Sequence, residues 1–263
     1  MPDGTFKNHT VLVTGGSRGI GREISLRLAR EGARVALMAR SRADLETIAA
    51  ECRAEGSRAL IIPGDVGSEA DCAVAVRSSH SEFGSIDMLV ANAGISMLSA
   101  FEDLEDLESL ERVMRVNYLG AVHCTRHALP HLIASRGRIV AVSSLTGLTG
   151  VPTRTGYAAS KHAMRGFFDS LRIELRRHGV SVTVAYPGFV DTGIRERAVG
   201  EGTGRGSGRP MSAPECANRI LDAAVHRRRE VVMTAKGQLG RWMKLVAPDL
   251  VDRIAARAVE FES

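Results

Sequence analysis

Lysine is scarce in this chain: of 35 Lys plus Arg only four are lysines, Lys7, Lys161, Lys236 and Lys244. A position that keeps lysine against so strong an arginine habit points to a need for a compact ammonium, which a planar guanidinium replaces poorly. Long apolar runs are also missing. None approaches the roughly 18 residues of a spanning helix, and the first ten residues hold no apolar signal core, so the expectation is a cytoplasmic protein. Cys52, Cys72, Cys124 and Cys216 are widely scattered. No paired spacing suggests zinc or a redox couple, and they read as free thiols. The longest basic run, Arg227 to Arg229, has no aromatic residue interleaved for base stacking and falls at an expected helix end, where cations complement the dipole. Nucleic acid is therefore not an expected partner.

What is present is the composition of a soluble globular chain, 44% apolar and 25% charged, which excludes disorder as the main state. At 263 residues it is long enough for one large α/β domain. The net charge of +5 permits an anionic cofactor or substrate.

Thr10 to Thr14 is a short β-branched and apolar run, as expected of a strand buried on both faces of a parallel sheet. It leads into Gly15-Gly16-Ser17-Arg18-Gly19-Ile20-Gly21, after which Ile20, Ile24 and Leu28 recur at helical spacing and Gly32 ends the helix. Strand, glycine turn and helix together suit a phosphate, because glycines let a backbone approach closely and a helix N-terminus offers unpaired N–H groups. Arg34 to Ala39 makes the second strand. Its end carries Arg40-Ser41-Arg42 where an NAD site usually has an acidic residue, so Arg40, with Arg18 in the loop, favours the 2′-phosphate of NADP. Ser41 and Ser68 read as N-caps, and Gly56 and Gly84 as helix ends. Ala59 to Ile62 and Ile86 to Ala91 are further strands. The alternation predicts a doubly wound parallel sheet, with Gly15, Arg40, Asp65 and Asn92 all falling at the carboxyl edge where ligands bind.

Leu104 to Leu129 reads as one long helix containing Asn117, broken at Pro130. His123, His127 and His131 recur every four residues, but without a carboxylate at ligand spacing they read as helix-face histidines, and no metal is expected. Gly137 to Ser144 is the fifth strand and Val180 to Ala185 the sixth. Between them stands Tyr157-Ala158-Ala159-Ser160-Lys161. In a helix, Tyr157 and Lys161 share a face, and a cation beside a phenol favours the phenolate; an exposed surface pair has the same spacing. The interval from Phe189 to Pro210 holds six glycines and suits a mobile flap over the site, the flap being placed at 189–212. Ser212 to Glu215 resembles a capping box, and Glu230 to Thr234 is a seventh strand. The tail from Gly237 to Ser263 is an amphipathic extension interrupted at Pro248. It could cover the substrate pocket, pack against a second subunit or touch a membrane surface, and packing is the preferred reading because amphipathic helices usually face a core.

The set Thr14 to Gly21, Asp65, Asn92-Ala93-Gly94, Asn117, Ser144, Tyr157 to Lys161 and Pro187-Gly188 resembles the short-chain dehydrogenase/reductase family, in order and spacing, over roughly the first 235 residues. Ala91 departs from it, standing where many members have a second asparagine. The resemblance implies a single-domain Rossmann fold, a doubly wound seven-stranded parallel sheet with helices on both faces. It implies a catalytic tetrad of Asn117, Ser144, Tyr157 and Lys161. It also implies an NADP(H) site formed by Gly15, Ser17, Arg18, Gly19, Ile20, Gly21, Arg40, Asp65, Val66, Asn92, Ala93, Gly94, Tyr157, Lys161, Pro187, Gly188, Val190 and Thr192. Ile95, Met97, Leu145, Leu148, Val151, Phe189 and Val190 are expected near an apolar substrate pocket, which suggests a hydrophobic ketone or secondary alcohol, and the tail is similar to that of hydroxysteroid-dehydrogenase-like members. A 3-oxoacyl-carrier-protein reductase and a non-catalytic NADP-binding sensor are the alternatives. By the same resemblance, a homodimer or homotetramer is expected.

Overall fold

Seven parallel strands run through the centre of the structure, a computed structural model that describes residues 5–194, 198–200 and 210–258. They are β1 (Thr10–Thr14), β2 (Arg34–Ala39), β3 (Ala59–Pro63), β4 (Met88–Ala91), β5 (Arg138–Val142), β6 (Ser181–Tyr186) and β7 (Glu230–Val232). Their order across the sheet is β3-β2-β1-β4-β5-β6-β7. The order reverses direction between β1 and β4, which opens a crevice above the strand ends there. Because strand side chains alternate, each strand feeds two cores. Leu12, Leu89, Ile139 and Val184 point into one, and Val11, Val13, Val90 and Val140 into the other. Helices α1 (Gly19–Arg30), α2 (Arg42–Ala54) and α7 (Ala213–Val225) cover the second core, while α3 (Glu69–Phe83), α5 (Gly120–Ala134) and α6 (Thr155–Leu175) cover the first. This is the doubly wound architecture expected.

Caps set the helix starts as anticipated. Ser41, Ser68 and Ser212 accept hydrogen bonds from the backbone N–H of Asp44, Asp71 and Glu215 at 3.2–3.3 Å. The helix expected from Leu104 is different: α4 spans only Glu108–Met114, because Asp106 Oδ1 accepts from the N–H of Glu108 and Ser109 and starts the helix there. A π-helical turn, Arg115–Leu119, then joins α4 to α5. Pro130 does not break α5, which continues to Ala134; the proline lies near the end, where its missing N–H removes one bond of a helix already held by packing.

The tail forms α8 (Ala235–Val246) and α9 (Pro248–Ala258), and the start of α8 meets the body of the protein where Gly237 lies against Leu145. Arg241 pairs with Glu230 on the body of the protein, while Leu239, Trp242, Leu245 and Val246 are exposed. Among the described residues of the tail only Val251 is buried. No described helix is long and apolar enough to cross a membrane. Residues 195–197 and 201–209 of the expected flap, and 259–263 of the tail, lie outside the described residues.

One exposed glycine offers a stability test. Gly166 lies inside α6 with nothing within 4 Å of the position a Cβ would take. Gly166→Ala is expected to stabilise the fold by about 0.5–1 kcal/mol, since alanine has less unfolded-chain entropy to lose. Denaturant unfolding of the two proteins checks this, and a lower midpoint would contradict it.

Candidate active site

Every feature of the site stands on the carboxyl edge of the sheet. The turn after β1 is tight: Gly15 has φ +64° and its N–H donates to Met38 O at 2.8 Å. At Gly21 an added Cβ would lie 2.2 Å from Gly15 O, so no larger residue fits without moving the loop. Asn92, at the end of β4, locks this turn from the side. Its Nδ2 donates to Thr14 O and Gly15 O at 2.9 and 3.2 Å, while Thr14 Oγ1 accepts from the N–H of Asn92 and Ala93. Asp65 shapes the next turn, accepting from Gly67 N–H at 2.8 Å. Thr192 packs directly on Gly19.

On the other side of the crevice, α6 presents Tyr157 and Lys161. Tyr157 is buried at the first turn of α6, and Lys161 Nζ lies 5.7 Å from the centre of its ring. The Lys161 ammonium donates to Val142 O at 3.0 Å and touches Met164 Sδ at 3.5 Å. It is buried, and burial pulls its pKa down from 10.5 to about 8. Asn117 reaches α6 from the π-helical turn. Its Nδ2 donates to Ile95 O and to Ser160 Oγ at 3.0 and 2.9 Å, its Oδ1 accepts from Ile95 N–H, and Ser160 in turn donates to Tyr157 O. Such a turn inserts one residue into the helix ladder and re-aims a side chain, a frequent device at functional sites. Gly94 sits between these groups: a Cβ there would lie 3.1 Å from Asn117 Oδ1 and 3.5 Å from Lys161 Nζ.

These elements enclose a cleft of about 970 Å³. Of the expected residues, Gly15, Ser17, Arg18, Gly19, Ile20, Arg40, Asp65, Val66, Asn92, Ala93, Gly94, Ser144, Tyr157, Lys161, Pro187, Gly188, Val190 and Thr192 line it. Gly21 and Asn117 do not; both act from behind, one by the space it leaves and the other by the bonds it makes. The apolar pocket is thinner than expected. Ile95, Phe189 and Val190 line the cleft, but Met97 and Leu148 are buried in the cores, and Leu145 and Val151 do not reach it, because the turn after β5 packs Leu145 toward Gly188 and Gly237.

Among the described residues, three further arginines line the cleft: Arg112, Arg115 and Arg154. Arg154 stands three residues before Tyr157, a spacing that places both on one side of a helix and that would have revealed it. The histidines of α5 go their separate ways. His127 meets Glu69 of α3 at 3.3 Å, and His131 stacks on His80.

A doubly wound sheet with a glycine-lined cradle at its switch point, faced by buried Tyr157 and Lys161 and half-buried Ser144, defines a dinucleotide-dependent oxidoreductase. The chain belongs to the short chain dehydrogenase family, whose profile matches residues 9–201. It is 35% identical to a dehydrogenase/reductase SDR family protein 7-like of Dictyostelium discoideum over 260 residues, 95% of this chain and 82% of that protein. An 11-beta-hydroxysteroid dehydrogenase-like 4A of Arabidopsis thaliana is 35% identical over 244 residues, 92% of this chain and 81% of that protein. Among solved structures, an alcohol dehydrogenase of the archaeon Thermococcus sibiricus complexed with 5-hydroxy-NADP superposes with a TM-score of 0.77 at 28% identity, covering 86% of this chain and 95% of that one. A short chain dehydrogenase/reductase of Burkholderia phymatum in complex with NAD shares the fold, with a TM-score of 0.84 over 94% of this chain and 96% of that one, at 23% identity.

Proposed function

We propose that this oxidoreductase uses NADP(H) and interconverts a carbonyl and a secondary alcohol on a partly apolar substrate. The observation that carries the reading is the position of Tyr157, Ser144 and Lys161 in one cleft with the glycine turn. The cradle suits a dinucleotide: the turn has room for a pyrophosphate at the N-terminus of α1, and the cleft continues to the end of β2. When bound, the nicotinamide supplies or accepts the hydride. The chain's own residues handle the proton and the charge. Tyr157 donates a proton to the oxygen that gains charge during reduction, and recovers it in oxidation. Ser144 hydrogen-bonds the same oxygen and stabilises charge that grows in the transition state. Lys161 holds a cation beside the phenol ring and would be available to bond the ribose of the nicotinamide. Asn117, through Ser160, fixes the first turn of α6 and so the place of Tyr157.

The preference for NADP rests chiefly on Arg40. Arg18 is already paired with Asp44 at 2.6 Å, whereas Arg40 lines the cleft at the end of β2 without a described carboxylate partner. The protein is expected to use NADPH at least tenfold better than NADH in kcat/KM, and Arg40→Asp to lose about 10- to 100-fold with NADPH, the scale of a charge-assisted phosphate contact. Initial rates with both cofactors against steroid, aromatic and acyl-thioester ketones test the whole reading. Selective use of acyl thioesters would favour a carrier-protein reductase, and tight NADPH binding with no turnover on any ketone would overturn the enzymatic reading. Exposed Leu119 and Ile173 on the outer helices support assembly as a homodimer or homotetramer.

A further inference from the structure

The cleft carries more positive charge near the proposed acid/base than a neutral ketone requires. Arg154 lines it from the N-cap position of α6, half-buried, one helical turn before Tyr157. No hydrogen bond or ion pair joins its side chain to any described residue. Among the described residues, the carboxylates that line the cleft, Asp44 and Asp65, stand at the far side of the sheet beside β2 and β3, and each is engaged locally.

The placement is also electrostatically adverse. A helix N-terminus is its positive end, so a cation there is disfavoured, and α6 has no acidic residue in its first turn to offset it. Burial further penalises the guanidinium and holds its pKa below the ordinary arginine range. A half-buried charge without a partner costs stability unless a ligand completes it. An anion at this spot would meet the guanidinium and the helix end together.

We propose that Arg154 anchors a carboxylate of the substrate, and that the physiological substrate is an oxo acid, or the corresponding hydroxy acid, with an apolar remainder. This deepens the proposed function and rests on Tyr157 as the proton donor to the carbonyl. Arg154 and Tyr157 start about one helical turn apart and both line the cleft, so the carboxylate and the reacting carbonyl belong to one substrate, and acids with the oxo group at two positions sample their spacing. A planar guanidinium matches a carboxylate with two parallel hydrogen bonds, which lysine does not. Ile95, Phe189 and Val190 accommodate the apolar part.

The test compares 2-oxo and 4-oxo hexanoic acids with their methyl esters as substrates of the full chain with NADPH. Wild type is expected to prefer at least one acid over its ester by about tenfold or more in kcat/KM, mainly through KM. In Arg154→Gln that ratio falls to about one, and Arg154→Lys recovers part of it. Equal use of acid and ester by wild type, or an unchanged ratio in Arg154→Gln, would overturn the proposal while leaving the redox reading intact. If wild type reduces none of these ketones, the redox reading stands or falls on the wider panel of steroid, aromatic and acyl-thioester ketones, and the anion site is read from binding. Calorimetric binding of hexanoate to the NADPH-loaded protein then decides the anion site: binding lost in Arg154→Gln supports it, and binding equal in both proteins refutes it. Thermal melting of each variant establishes that it is folded.

Discussion

Replacing Tyr157 with phenylalanine is expected to lower kcat for carbonyl reduction by about 10³-fold while leaving NADPH affinity within a few-fold of wild type. General acid catalysis contributes roughly 10²–10⁴ to such steps, and phenylalanine removes the donor without altering the ring that packs in the site. The ring is buried beside Met97 and Val113, so its shape is what the surrounding core recognises. A packing defect should therefore be small. Stopped-flow measurement of NADPH oxidation, with cofactor affinity from fluorescence, separates proton transfer from binding. Near-normal turnover would remove Tyr157 from the chemistry and leave Ser144 as the remaining hydroxyl at the carbonyl.

Lys161→Met is expected to do two opposite things: abolish most activity and stabilise the cofactor-free fold. The ammonium is buried, and its pKa falls from 10.5 to about 8 through desolvation. At 1.36 kcal/mol per unit, that is a cost of about 3 kcal/mol to the folded state at neutral pH, partly returned by the hydrogen bond to Val142 O. The pH dependence has a definite sign. Between pH 8 and 10.5 the unfolded chain holds a proton that the folded one has released, so this group makes stability rise with pH across that window, and its full cost is present below pH 8. Methionine has no charge to desolvate. The variant should melt several degrees above wild type at pH 7, with the gap closing by pH 10, while kcat/KM falls by about 10²-fold or more. A variant that melts lower at pH 7 would show that the hydrogen bond outweighs the desolvation. Activity lost together with stability gained would mark a lysine kept for function at a cost to the fold, in a chain that otherwise uses arginine.

Most of the framework was legible beforehand because its signals are local. Thr10 to Thr14 followed by the glycine turn, and the serines that cap α2, α3 and α7, act through residues within one turn of each other. The same holds for the spacing of Tyr157 and Lys161. The start of α4 was misplaced because a carboxylate, Asp106, outcompeted the apolar periodicity. Pro130 misled in the opposite direction: a single lost bond near a helix end is small against the packing of Ala128 and Leu132 in the core. Asn117 was placed correctly in the chain, yet its π-helical turn was invisible, since nothing in five residues marks an inserted one.

By itself, the sequence determined the class of fold, the carboxyl edge of the sheet where the glycine turn and the cleft lie, and the residue types that stand there. Hydrophobic period, glycine punctuation and cap residues write these directly into neighbouring positions. Tertiary structure decided which side chains share the cleft and what each one meets on arrival. It paired Arg18 with Asp44 and left Arg40 to face the cofactor end. It buried Leu148 in the core and Met97 behind the Tyr157 ring, turned the apolar face of α8 outward, and set Arg154 beside Tyr157 without a described partner. The reason is that charge pairing and burial depend on residues brought together from distant parts of the chain by the sheet, and their separation in sequence carries no record of that meeting.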